Sequence, residues 1–270
     1  MSATSRRDRP AASRSPLSRR NPTVKLVLVF VVSAAMLFVF DPITPTVLYA
    51  FALPAVLVST RLHPRTILLA HIPFVAFATG LLLVNALSRP GEVIWDYGVL
   101  RVTVEGVTVG TSLAMRTLLI GILSIGFIAS TDPVALMTSL HQNARLSPGL
   151  TYAVLAGYRM LQEMPREWET IRQAHAVRAP LRQDGTLPTR WRDLSQAAFT
   201  LLVVSVRKGE RMAQALESRG LGLVPRTTWR PISVGPADWM LATVVVSVLF
   251  AVLLLSHTLG ILEGFGALSR

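Results

Sequence analysis

The sequence predicts an all-α integral membrane protein of about five transmembrane helices plus a cytoplasmic region of amphipathic helices. Three observations carry this. Of the 270 residues, 51% are hydrophobic and 16% charged, with mean hydropathy +0.49, whereas soluble domains are about a quarter charged. The apolar residues gather into five runs near the ~20 residues that a helix needs to cross a bilayer. The charge is also segregated. Residues 1–25 hold seven Lys/Arg and one acid, residues 131–237 hold fourteen against eight, and the rest holds six of each. Positive charge beside apolar spans marks cytoplasmic loops and points to a multi-pass protein of the cell membrane.

Residues 1–22 are rich in Arg, Ser and Pro without apolar periodicity, and read as a disordered basic cytoplasmic tail. Residues 23–130 carry the first four spans. Val24–Phe40 is the first, with Lys25 placed to snorkel to the interface, and Asp41-Pro42 breaks it. Ile43–Val58 is short and holds Pro45 and Pro54, so a kinked span or a re-entrant piece both fit. The alternation of loop charge favours the crossing. Thr66–Leu87 is the third span, with a kink expected at Pro73. A polar loop over Ser88–Glu105 follows, then Val107–Ala129 as the fourth. Gly106 and Gly110 permit close helix approach. Arg116 lies inside the fourth span, where an unpartnered arginine costs several kcal/mol. It is either a structural arginine capping carbonyls in the bundle or a functional residue.

Residues 131–237 form the polar region. Asp132 can cap a short helix beginning at Pro133, and Ser147-Pro148 opens another. Pro165 should kink that helix. Beyond it Trp168, Ile171, His175 and Arg178 share one face, and Pro180 stops it. Leu181–Trp191 reads as a loop with a turn at Asp184-Gly185. A second helix is expected from Ser195. Its apolar stripe is Phe199, Leu202, Val203, Val206, Ala213 and Leu216, with Arg207, Lys208, Arg211 and Gln214 opposite. Gly220 suits a left-handed helix cap. The fifth span lies within residues 238–258, with Asp238 favouring its N-terminus, and residues 259–270 form a C-terminal tail. Five spans place the N-terminus inside and the C-terminus outside.

Both helices of the polar region end on an arginine beside a small residue, in Val177-Arg178-Ala179 and Ser218-Arg219-Gly220. Cations favour helix C-termini by about 0.3–1 kcal/mol, which accounts for either arginine alone. Two similar ends about 40 residues apart also suit anchoring to a partner protein, because a guanidinium fork can fill a desolvated pocket.

At these residues the chain resembles the T component of energy-coupling factor transporters (the EcfT or CbiQ family). The resemblance spans roughly residues 19–258. It begins at Asn21-Pro22-Thr23-Val24-Lys25 and continues through Glu105-Gly106, Gly110, Ala114-Met115-Arg116 and Thr131-Asp132-Pro133. It is most specific at Ala174–Ala179 and Ala215–Gly220. The family's signature is two short motifs with a central arginine. Here both arginines match while the flanks depart, more so in the first motif. The resemblance implies a non-catalytic coupling subunit of an importer for a vitamin or metal ion. Its implied partners are two ABC-type ATPase subunits, seated on Arg178 and Arg219, and a membrane S component that carries the substrate. The apolar helix after Ser195 would face the bilayer or that S component.

The chain has no cysteine, hence no disulfide framework or thiol chemistry. It has no phosphate-binding G-x-x-x-x-G-K-[ST] loop and no H-E-x-x-H, and its five histidines are scattered. No cofactor, metal or nucleic-acid partner is expected. An integral membrane enzyme is an alternative, but neither paired intramembrane carboxylates nor a nucleophile–base constellation supports it. A membrane-anchored basic binding protein is another, and it leaves the two helix ends unexplained.

Overall fold

A computed structural model describes residues 15–61, 63–97, 100–178, 191–223 and 231–260. The expected loop over 181–190, Ala179 and most of both tails lie outside the described residues. The chain divides into two compact units, residues 1–136 with 232–270, and residues 137–231.

In the membrane unit, α1 spans Pro22–Met36, α2 Ile43–Thr60, α3 Pro64–Ser88, α4 Val104–Ser130 and α8 Pro236–Thr258. Four of these are long and apolar enough to cross a membrane: α2, α3, α4 and α8. The short member is α1, not α2 as the sequence suggested. Its 15 residues measure ~22 Å at 1.5 Å per residue. The chain then tightens, with the N–H groups of Leu37, Phe38 and Val39 bonding three residues back to Ala34, Ala35 and Met36. The basic tail is also shorter than residues 1–22. Leu17–Arg19 forms a 3-10 turn, and the Asn21 side chain caps α1 by accepting from the Thr23 N–H.

The loop over Ser88–Glu105 is a correction. It contains an antiparallel hairpin, β1 Val93–Tyr97 and β2 Leu100–Thr103, with a register shift between Val93 and Trp95. The β-branched and aromatic residues of Val93-Ile94-Trp95 and Val102-Thr103 favour strand, a signal masked by the interspersed charges. Thr103 ends β2 and caps α4, its hydroxyl accepting from the Gly106 N–H at 3.1 Å.

Helix α4 is central, packing against α1, α2 and α3. One core cluster gathers Val32, Met36, Leu48, Leu119 and Leu249, where α1, α2, α4 and α8 converge. A second joins Val56, Ile67 and Ile122. The α3–α4 seam uses the expected glycine pair. A Cβ on Gly106 would lie 2.5 Å from the Asn85 carbonyl oxygen, and one on Gly110 would lie 3.0 Å from that of Leu82.

In the second unit, α5 (Pro133–Asn143) enters from the membrane unit in sequence, followed by α6 Pro148–Arg178 and α7 Trp191–Ser218. Asp132 caps α5 through the Ala135 N–H at 2.9 Å. Helix α6 runs as one helix through Pro165, and α7 begins four residues before Ser195.

Candidate functional site

Helices α6 and α7 pack on each other. Lys208 on α7 donates to Glu163 at 3.2 Å and to Glu167, two carboxylates one turn apart on α6. The His175 ring lies 3.4 Å from the Thr200 hydroxyl, and Ile171 and Ala197 are buried. Residue numbers rise on one helix as they fall on the other, so the pair is antiparallel. Of the face predicted on α6, made of Trp168, Ile171, His175 and Arg178, Ile171 is buried and His175 meets α7.

On α7 the outcome differs from the sequence reading. Ala197, Thr200 and Lys208 fall on one side at helical spacing. The expected apolar stripe turns away, leaving Phe199, Leu202 and Val206 exposed. Lys208 was expected on a solvated face. Instead it tethers the two helices, and its hydrogen bonds to Glu167 and Glu163 raise its pKa above the usual lysine value. The i, i+4 spacing of Glu163 and Glu167 was the signal that could have found it.

Because the helices are antiparallel, their arginine-bearing C-termini point to opposite ends of the pair. Continuing the observed pairing sets Arg178 beside about residue 197, 22 residues before Arg219. The two ends are therefore ~33 Å apart at 1.5 Å per residue. Arg178 is the last residue of α6, and Val177 before it is 88% exposed.

The α7 end is better defined. Ser218 closes the helix, its hydroxyl bonding back to the Ala215 carbonyl at 3.1 Å, and Arg219 is exposed. Gly220 has φ +82°. The N–H of Gly220 reaches the Glu217 carbonyl at 2.9 Å, and that of Leu221 reaches the Leu216 carbonyl at 3.0 Å. This bond pair is the Schellman cap. It needs a left-handed residue where glycine stands, and it fixes the backbone that presents Arg219.

Arg116 belongs to the other unit. It lies in the membrane unit, where its guanidinium donates to the Val39 carbonyl and sits 5.5 Å over the Phe40 ring. The Val39 carbonyl belongs to the tightened chain after α1. Sequence reasoning missed a second polar cluster. Lys25 is 4% exposed, buried rather than snorkelling, and donates to the Leu17 carbonyl, the Ser130 carbonyl and the Ser130 hydroxyl at 3.2, 2.9 and 3.2 Å. Asp238 caps α8 through the Gly235 N–H and also accepts from the Asn21 N–H, both at 2.9 Å. The Asn21–Lys25 segment thus ties the starts of α1 and α8 to the end of α4. Among the described residues no cluster of His, Cys, Asp and Glu could hold a metal ion.

A family profile described as cobalt transport protein, CbiQ, matches residues 13–229. The chain is 28% identical over 251 residues to the energy-coupling factor transporter transmembrane protein EcfT of Heliobacterium modesticaldum, covering 89% of this chain and 93% of that one. It is 26% identical over 254 residues to the EcfT protein of Limosilactobacillus fermentum, covering 88% and 93%. It also matches, at 26% over 253 residues, a Bifidobacterium longum protein named as an ABC transporter ATP-binding protein, covering 89% of this chain but 32% of that longer one.

Proposed function

Since the chain belongs to the CbiQ family and is the transmembrane component of an energy-coupling factor transporter, we propose that its α6–α7 pair couples two ABC-type ATPases to a membrane S component. Arg178 and Arg219 each seat in one ATPase, with Val177, Ala179, Ser218 and Gly220 shaping the two contacts. ATP hydrolysis belongs to those partners, and this chain contributes no chemistry of its own. The cargo is a micronutrient, a vitamin or a metal ion, carried by the S component.

The observation that carries this reading is the pair of ends itself. One antiparallel hairpin bears an arginine at each extremity, ~33 Å apart, a span that lets two subunits of a dimeric partner be held at once. The Schellman cap at Gly220 fixes one of them. The Bifidobacterium longum relative supports an ATPase partner, because the segment it shares with this chain sits within a longer chain named for ATP binding.

We place the N-terminus and the second unit in the cytoplasm, following the Lys/Arg distribution. In that topology α1 crosses together with its tightened extension. Its ~22 Å plus about 6 Å for three residues of 3-10 geometry approaches the ~30 Å hydrocarbon core.

The test is co-purification of the ATPases with the full chain, alongside substrate uptake in cells. Arg219→Glu is expected to lose the ATPases and Arg178→Glu to weaken them. Normal uptake with retained ATPases in the double variant would overturn the proposal.

A further inference from the structure

The membrane unit contains a crevice of about 410 Å³ between α1, α2 and α8, floored by α4. Its walls are apolar, with Leu28 and Val32 on α1, Phe51 and Ala55 on α2, and Val245 and Leu249 on α8. One end is different. There the lining ends at Leu17, Lys25 and Ser59, and the 3-10 turn packs against α2. Arg19 and Arg20 lie two and three residues past Leu17, and Arg61 caps α2 two residues past Ser59 with φ 53°. Arg19 and Arg61 are exposed and Arg20 is half-buried. None of the three makes an ion pair among the described residues. Lys25 already gives its three hydrogens to Leu17 and Ser130, so the rim charge left over is that of the arginines.

We propose that this crevice holds one acyl chain of an anionic phospholipid, with its phosphate on the rim formed by Arg19, Arg20 and Arg61. On α8 the lining runs from Leu241 to Leu249, ~12 Å at 1.5 Å per residue, an apolar slot along which an extended acyl chain can lie. An apolar cavity stays dry and takes an apolar guest, and in a bilayer the abundant apolar guest is a lipid tail. Basic residues at the mouth of an interhelical pocket select acidic headgroups. The inference stands independently of the coupling role, because no residue of α6 or α7 enters it.

The experiment is lipid titration of the full chain, purified in mild detergent, followed by native mass spectrometry. Phosphatidylglycerol and phosphatidylcholine with identical chains are the probes. Phosphatidylglycerol is expected to bind at least roughly fivefold tighter, the effect of one well-placed arginine. Ala55→Phe, at an exposed position lining the crevice, should weaken both lipids. The Arg19→Gln, Arg20→Gln, Arg61→Gln triple variant should erase the preference while leaving phosphatidylcholine binding unchanged. A photoactivatable phosphatidylglycerol should label α2 and α8, which reads the site without any variant. Equal binding of the two lipids, undiminished binding by folded Ala55→Phe, a preference that survives the arginine substitutions, or labelling elsewhere would each overturn it.

Discussion

In the membrane unit, helices meet through bare backbone and buried polar pins. In the second unit, α6 and α7 meet through Ile171, Ala197 and a lysine shared by two glutamates. The membrane unit sets Gly106 and Gly110 against the carbonyls of α3. It ties Lys25 to Ser130, Thr44 to Ser256 at 2.7 Å, and Ser112 to the Asp41 carbonyl at 3.0 Å. By contrast, Thr151, Ile171 and Ala197 are the only buried residues among the described positions of α6 and α7. The difference follows from the solvent. Lipid tails are as apolar as leucine, so helices in a bilayer find one another by close approach and hydrogen bonds. The α6–α7 pair instead leaves Phe199, Leu202 and Val206 exposed. An apolar face left open in this way marks an interaction surface. Under the proposed coupling role, partners would complete the second unit, while the first holds its own shape.

Substitutions can break that contrast. The largest effect is expected from Arg219→Glu. It should abolish ATPase retention while leaving the membrane unit intact, so co-purification falls and thermal stability does not. A stability loss equal to that of a core variant would erase the distinction between the units. Gly106→Ala should do the reverse, lowering stability by roughly 1–3 kcal/mol because its Cβ overpacks backbone that cannot yield. Thermal unfolding followed by tryptophan fluorescence checks this. Lys25→Met should cost about 1–3 kcal/mol by stranding the Ser130 carbonyl, and Ser130→Ala less, since Lys25 keeps that carbonyl.

Smaller effects sharpen the picture of the hairpin. Gly220→Ala should fray the last turn of α7 by about 1 kcal/mol, since φ +82° suits only glycine well. Faster hydrogen exchange at Glu217–Leu221 would report it. The smallest effect belongs to Lys208. Its pKa is raised in the folded state, so its contribution is complete below the ordinary lysine pKa and fades as pH climbs through the raised value. Hydrogen exchange in α7 should therefore quicken at strongly alkaline pH, and Lys208→Met should remove that dependence.

Much of this was legible in the sequence. Apolar run length gave four of the five membrane helices closely. Pro133 and Pro148 with their neighbours marked helix starts, and Asp132 and Asp238 cap where expected. The candidate ends were equally visible, because a glycine after an arginine at the close of a periodic stretch is a local signal. What the sequence hid were pairings between distant segments. Lys25 beside an interface reads as a snorkelling lysine, and only the fold sets the end of α4 across from it. The strand character of Val93–Thr103 was obscured by charges that a hairpin tolerates.

For this protein the sequence alone determined which segments are helical, which are apolar enough to enter a bilayer, and where two helices end on arginine. Periodicity and capping are properties of neighbours along the chain, so they survive without a fold. The tertiary structure decided that α1 stops short and that Arg116 holds the Val39 carbonyl. It also decided that Lys208, rather than the apolar stripe, faces α6, and that the pair is antiparallel, which sets the two arginine ends at opposite extremities. Those choices depend on which buried polar groups find partners, and that is settled only when segments far apart in sequence are brought together.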